Sequence, residues 1–313
     1  MAEWLYEAGI GEARAALFAH GRIVAARIER DGGALRIGQV FRARLVERVS
    51  AGLVRVEAAE GAAVLDRVPP GLPLGAMLTV AVVREAIPEP GRVKLARVTP
   101  SDAPPAPAPD LLATCHASGL GVRMLRPHEP DALEAAGWSE VIDEALTGEM
   151  AFAGGALRMA PTPAMTLFDV DGPGDPARLA VAAAGAVAGA IVRHDVGGSI
   201  GIDFPTLAGK AARQAVAAAI DDALPLPFER TAVNGFGFLQ IVRPRPRASL
   251  PELLRADPVA TAALAMLRGA EREPPPIRSP RRVDAGVAAW LAARPALLDE
   301  LARRAGGRID FVP

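Results

Sequence analysis

The sequence predicts a mixed α+β protein built on a strand–helix–strand unit, with a small β-barrel inserted nearer the N-terminus. Three observations carry that expectation. Short apolar runs separated by Gly and Pro fill Ile37 to Val98, and the proline-rich stretch TPSDAPPAPAP follows at Thr99 to Pro109. Between Ala164 and Phe204, two apolar runs that each end in an acid flank a helix-length Ala-rich segment. That last stretch holds the chemistry-bearing residues.

The bulk numbers set limits. With 313 residues, half of them apolar, the chain is long enough for two or three domains and a sizeable core. Its 31 Gly and 29 Pro beside only 4% aromatics point to a GC-rich coding bias rather than to a function. Net charge is −1, from 35 basic and 36 acidic residues, so any surface for a polyanion is local and not a property of the whole molecule. Lys94 and Lys210 are the only lysines; arginine supplies the remaining positive charge. One cysteine, Cys115, excludes an internal disulfide framework and any multi-cysteine zinc site, and the scattered His20, His116, His128 and His194 lack ligand spacing. The N-terminal MAEWLYEAGIGEAR has neither the basic flank nor the apolar length of a secretory signal, which leads us to expect a cytoplasmic protein.

Taken in order, ARAALFAHGRIVAARIER reads as two strands around Ala19-His20-Gly21-Arg22, with Leu17, Ile23 and Ile28 buried and Asp31-Gly32-Gly33 ending the hairpin. The runs VFRARLVERV, GLVRVEA, AAVLDRV, AMLTVAVVREA and GRVKLARV then suggest a barrel of the OB type. Such barrels often bind single-stranded nucleic acid. This one carries Arg42, Arg44, Arg55 and Lys94, which are equally the charges of a solvated face, and Phe41 as its one ring. The prolines of Thr99 to Pro109 mark an extended linker. Helical spacing returns at Asp110 to Ser118 and at Pro130 to Leu146, the latter with Leu133, Trp138, Val141, Ile142 and Leu146 on one side.

ALRMAPTPAMTLFDVDG reads as two strands joined at the prolines. Next comes ARLAVAAAGAVAGAIVR, too weakly apolar and too short for a membrane span, whose Gly185 and Gly189 suggest close packing of a crossover helix on a sheet. Gly197-Gly198 ends that helix and SIGIDF begins a strand, so the segment has the size of one βαβ unit with parallel strands. AGKAARQAVAAAIDDAL is an amphipathic helix with Lys210 and Arg213 in its first turns. A strand region follows, in which Pro244 and Pro246 hold Arg243, Arg245 and Arg247 on one side of an edge or extended arm. Helical stretches at Leu250 to Glu273 and Val283 to Ala305, split by PPPIRSPRR, precede a final strand-like RIDFV.

Asp169 or Asp171 ends the first strand of the βαβ unit and Asp203 the second. Adjacent parallel strands bring such acids together at one sheet edge. Magnesium takes one or two carboxylates and keeps waters for a phosphate substrate, which is a physical reason for two Asp there. Strand-end acids also cap loops, and Asp171 before Gly172-Pro173 suits that role equally. No GxSxG elbow or Walker pattern offers other chemistry.

Three segments resemble the ribonuclease E and ribonuclease G endoribonucleases. RHDVGGSIGIDFPTL is similar to that family's Arg-Asp-Leu-Gly-Gly run leading into Ile-Asp-Phe. GGALRMAPTPAMTLFDVDG is similar to the segment in which a Gly-Gly turn and Thr-x-Ala-x-x precede Ile-Asp-Ile-Asn. VNGFGFLQIVRPRPRASLPE is similar to Phe-Gly-Leu-x-Glu-Met-x-Arg-x-Arg ending in Ser-Leu, with Gln240 where the family usually has Glu. EARAALFAHGRIVAARIER fits the family's start, ahead of an inserted OB-type RNA-binding domain.

The resemblance implies magnesium-dependent cleavage of single-stranded RNA to 5′-phosphate and 3′-hydroxyl ends. Asp169 and Asp203 match the two metal-holding aspartates, and Asp171 stands where the family has Asn, as an auxiliary ligand or orienter of a metal-bound water. Lys210, Arg213, Arg243 and Arg245, with Arg44 and Lys94 on the barrel, are the expected RNA contacts. The family's zinc-linking CPxC is replaced by PELLRADP, so no structural zinc and no zinc-linked dimer are expected, and the oligomeric state stays open. The segment that would carry a 5′-monophosphate pocket is cut down to the proline linker and its surroundings. No membrane partner is expected. A non-catalytic RNA-binding or regulatory member of the family is the alternative, and a third reading has DNA or a small phosphodiester as the substrate.

The implied layout is residues 1–35 as N-terminal strands of a ribonuclease H-like subdomain, 36–99 as the OB-type barrel and 100–110 as linker. The remainder of the ribonuclease H-like subdomain covers 111–160, a deoxyribonuclease-like catalytic subdomain 161–250, and a helical segment with a final strand 251–313.

Overall fold

The computed structural model describes residues 2–32, 35–50, 52–89, 91–273 and 280–313. Gly33 of the expected hairpin end and most of the link PPPIRSPRR, residues 274–279, lie outside the described residues. The chain divides into two compact units, Met1–Asp31 with Leu111–Val141 and Leu254–Pro313 in the first, and Gly32–Asp110 with Ile142–Leu253 in the second.

In chain order the strands β1 (Glu3–Ala8), β2 (Glu12–Ala19) and β3 (Arg22–Arg30) come first, then β4 (Val40–Ser50), β5 (Leu53–Ala58), β6 (Gly61–Asp66), β7 (Met77–Arg84), β8 (Ile87–Glu89), β9 (Arg92–Lys94) and β10 (Ala96–Pro100). Helix α1 (Leu111–Ala117), β11 (Gly121–Met124), α2 (Ala132–Ala135) and α3 (Trp138–Thr147) lead to β12 (Glu149–Phe152), β13 (Gly155–Pro161) and β14 (Thr166–Asp171). Helix α4 (Pro176–Arg193), β15 (Gly198–Asp203), α5 (Lys210–Ala223), β16 (Glu229–Arg230) and β17 (Phe238–Arg243) complete the central stretch. The remainder is α6 (Leu250–Ala256), α7 (Pro258–Glu271), β18 (Arg281–Arg282), α8 (Ala285–Ala292), α9 (Pro295–Ala305) and β19 (Phe311–Val312).

The first unit is a four-stranded sheet in the order β11-β1-β2-β3, with helices around it. The expected hairpin is β2 and β3, but Leu17 and Ile28 are only half-buried, and the small Ala15, Ala16, Ala25 and Ala26 fill the buried positions instead. Cys115 is buried beside Tyr6 and Ala15, a packing residue. Ile10 packs into a cluster with Leu264, Leu267, Leu291 and Leu301, so the C-terminal helices belong with the N-terminal strands. Gly137, at φ 95°, breaks the expected helix into α2 and α3. Leu133, Trp138 and Val141 are buried as expected, whereas Leu146 is exposed and Ala145 takes the buried position.

A feature without a sequence signature sits in this unit. Glu7, Glu12 and Arg14 are buried on β1 and β2. Arg14 donates to Glu7 and, at 2.7 Å, to Asp131, and its guanidinium lies 5.2 Å from the centre of the Trp138 ring. Arg272 from the end of α7 closes the group by pairing with Glu7 and, at 3.2 Å, with Asp131. Glu12 is held by Arg268 at 2.8 Å. Burial raises the Asp131 carboxyl, but Arg14 and the helix N-terminus of α2 outweigh it and leave it below its ordinary range.

In the second unit, β10-β6-β5-β4-β7 close into a five-stranded barrel, compatible with an OB type, in which β6 and β10 run parallel and the other contacts are antiparallel. The run GRVKLARV supplies both β9, paired with β8 outside the barrel wall, and β10. Phe41 is not a surface ring: it lies at 2% exposure in the barrel interior with Ala43 and Leu45, because alternation along β4 puts Arg42 and Arg44 outside. The proline-rich linker begins as the end of β10, and Ala106 exchanges both backbone hydrogen bonds with Val40 at 2.9 Å, so it is extended but docked on the barrel.

The other part of this unit is a six-stranded sheet in the order β12-β13-β14-β15-β17-β16. One face is covered. Phe168, Val170, Ile200, Ile202, Leu239 and Ile241 form a core with α4 and α5, each large side chain contributing about 1.5–3 kcal/mol by burial. Helix α4 is long and apolar enough to cross a membrane by length and composition, yet in the fold Ala180, Ala183, Ala184, Val187, Ala188 and Ile191 are buried in this core. Gly185 and Gly189 do not make the expected close packing, since a Cβ at either would meet open space; the alanines bring the helix near the sheet. Nor does Gly197-Gly198 stop the helix, which ends at Arg193; a Cβ on Gly197 would come within 2.5 Å of the Pro244 carbonyl oxygen, so the glycine serves the close passage of the 244–245 segment.

At the end of α4 the buried His194 Nε2 lies 3.0 Å from a Glu144 oxygen, which also accepts from Arg193 at 2.8 Å. Burial pushes the Glu144 carboxyl up, but the His194 hydrogen bond and the Arg193 charge outweigh it and hold it below the ordinary carboxylate range. A lowered carboxyl stabilises the fold fully above its unfolded value near 4.5, and that contribution is lost as pH falls through the folded value. Glu144→Gln is therefore expected to lower the urea midpoint at pH 7, with the difference from the parent shrinking as pH falls through the folded value, as followed by far-ultraviolet circular dichroism.

Candidate metal centre on the open face of the sheet

The opposite face of the six-stranded sheet carries the acids. Along β14, Thr166, Phe168 and Val170 point into the core, so Leu167, Asp169 and Asp171 stand on the open side. Along β15 the same alternation buries Ile202 and exposes Asp203. The two strands are parallel neighbours, and their register pairs Asp169 directly with Asp203. Neighbouring strands lie roughly 4.8 Å apart, so two side chains on one face at paired positions are within reach of a single ion. Asp171 is two residues further along β14 on the same face, about 6.6 Å on.

These carboxylates are exposed, and among the described residues none of the three accepts a hydrogen bond. Asp175, not Asp171, caps α4, accepting from the Arg178 backbone N–H at 2.9 Å. Asp171, whose carboxylate accepts no hydrogen bond among the described residues, does not cap the loop at Gly172-Pro173. No group of three or more His, Cys, Asp or Glu placed to hold one ion occurs among the described residues. A pair of hard oxygen donors open to solvent nevertheless suits magnesium, which keeps most of its coordination shell as water.

Arg158 completes the local charge pattern and was not singled out from the sequence. It is the cross-strand partner of Asp169 on β13, on the same open face, and it donates to Glu149 at 2.9 Å. Glu149 first, then Asp169 and Asp171, raise its pKa further above the ordinary arginine value. Alternation of Leu157 and Met159 into the core was the available signal.

On the other side of the acid pair, Phe238 on β17 is the partner of Asp203. Its ring lies over Gly201, where an added Cβ would sit 2.6 Å from the ring edge and 2.8 Å from Leu167. The loop before it is fixed. Phe204 N–H donates to the Gly237 carbonyl at 3.2 Å, and Gly237, at φ 94°, abuts the Phe204 and Pro205 carbonyl oxygens. Gly237→Ala combines an unfavourable φ with a backbone clash, and is expected to destabilise the protein by more than about 1 kcal/mol in urea unfolding followed by circular dichroism.

The basic residues expected to touch RNA are spread out. Lys210 is exposed at the start of α5, which follows Asp203 after a short loop, and Arg213 donates to the Leu207 carbonyl at 3.3 Å. Arg243 pairs with Gly198 at the far end of β15, five residues and roughly 17 Å from the acid pair. Burial lowers its pKa. Arg245 beyond it pairs with Glu252. Burial, then Arg97 and Arg245, also lower the pKa of Arg84, while Asp66 and Glu89 raise it; Arg97 is paired with Asp66 at 3.0 Å, so these guanidiniums sit among acids. Arg44 is exposed on the outer barrel wall, and Lys94 on β9 lies 4.0 Å from Glu89.

None of the known family models matches this chain, and no curated protein matches it in sequence.

Proposed function

We propose that this chain is a magnesium-dependent endonuclease of the ribonuclease E and G kind, cutting single-stranded RNA to leave 5′-phosphate and 3′-hydroxyl ends. The observation that carries the reading is the parallel register of Asp169 with Asp203 on an open, solvated sheet face. Asp169 and Asp203 would hold the ion. Magnesium, when bound, neutralises phosphate oxygens and lowers the pKa of a coordinated water.

The remaining roles fall to this chain's own side chains. Asp171, with no hydrogen bond of its own among the described residues, orients water on the attacking side. Arg158, the cross-strand neighbour of Asp169, counters the charge of the approaching phosphate. Water displaces the 3′ oxygen in line, so the phosphate stays on the 5′ end of the downstream product.

The test is cleavage of an end-labelled single-stranded RNA with magnesium, with EDTA, and with Asp169→Asn. Magnesium-dependent products carrying 5′-phosphate, lost in the variant, support the reading. RNA binding by the parent without cleavage would instead support a non-catalytic RNA-binding protein, and preferential cleavage of DNA would move the substrate class.

A further inference from the structure

Phe236 is 82% exposed, the most exposed large apolar side chain among the described residues. Its backbone is nevertheless tightly held. The Asn234 carboxamide oxygen accepts from the Phe236 N–H at 2.9 Å and from the Phe238 N–H at 3.0 Å. Asn234 N–H donates to the Phe238 carbonyl at 2.9 Å, and the Gly237 N–H donates back to Asn234 at 3.2 Å. Through Gly237 the turn is fastened to Phe204, the residue after Asp203. The ring is therefore carried into solvent on a constrained turn, with its own surface uncovered.

Its neighbours point to what would cover it. Two residues on, Phe238 is the cross-strand partner of Asp203, and its ring lies against Leu167 and Met165 over Gly201. An aromatic and apolar strip thus runs along one side of the acid pair, while Arg158 stands on the other. We propose that Phe236, backed by Phe238, is a stacking platform for the unpaired base next to the cleaved phosphate. This rests on the nuclease reading for its position in the reaction but not for the contact itself. An aromatic face receives any base, so it fixes the strand with little sequence preference.

The experiment uses the full chain with Asp203→Asn to prevent turnover, and measures the Kd of a fluorescein-labelled single-stranded RNA by anisotropy. Phe236→Ala is expected to weaken binding roughly 5- to 100-fold, and Phe236→Trp to restore it. RNAs with one abasic residue at each position in turn should lose affinity at one position, and Phe236→Ala should abolish that sensitivity. An unchanged Kd in Phe236→Ala overturns the inference and assigns the ring to some other contact, such as a protein surface. RNA bound with these signatures by a parent that does not cleave leaves the platform standing and removes the nuclease reading. No RNA binding at all removes both.

Discussion

Asp203→Asn is expected to slow magnesium-dependent RNA cleavage about a thousandfold while leaving RNA affinity and folding nearly unchanged. The size reflects the role of the carboxylate on the proposed reading. Losing one of two charged ligands forfeits several kcal/mol of stabilisation of the developing phosphate charge, and each 1.36 kcal/mol is tenfold in rate. Folding is spared because Asp203 is exposed and its carboxylate makes no hydrogen bond among the described residues. Asp169→Asn should behave alike, and the double variant should be little worse than either, since both residues serve one ion. Asp171→Asn should cost about tenfold, the low end for such a partner, and chiefly shift the magnesium dependence, as it keeps an oxygen at the site. Equal single-turnover rates for the parent and Asp203→Asn would remove the acid pair from the mechanism.

The second large effect is on stability. Arg14→Ala leaves Glu7 buried and short of a partner, and removes the cation above Trp138. Breaking a buried pair from one side costs about 3–5 kcal/mol, because the remaining charge stays desolvated. Arg272 still pairs with Glu7, which places Arg14→Ala toward the lower end of that range. Glu7→Ala should cost at least as much, since it leaves Arg14 and Arg272 to share the single Asp131 carboxylate. Tryptophan fluorescence during urea unfolding isolates this effect, because Trp4, Trp138 and Trp290 all lie in the unit that holds the network. A shift of less than about 1 kcal/mol in Arg14→Ala would mean that solvent reaches the network.

The contribution of the sequence by itself is local. Alternation and turn residues are carried by neighbours in the chain, so the barrel strands, the hairpin of β2 and β3, the paired strands β13 and β14 and the crossover helix were all legible. The same alternation puts Arg42 and Arg44 outside and Phe41 inside. The acids at strand ends were visible because turn-forming residues mark each end, Gly172-Pro173 after Asp171 and Pro205 shortly after Asp203.

Only the tertiary structure decided which distant residues meet. Register between β14 and β15 is set by hydrogen bonds across a helix-length separation, and it alone pairs Asp169 with Asp203. The β15–β17 pairing sends Arg243 to the far end of the sheet, the β13–β14 pairing brings Arg158 beside the acids, and the packing of α4 turns Gly185 away from the core. The Glu7, Arg14, Asp131 and Arg272 network has no sequence signature, because its members come from segments that share no local pattern. Folding joins them because a buried charge must find a partner, and the sequence does not say which of many charges that partner is.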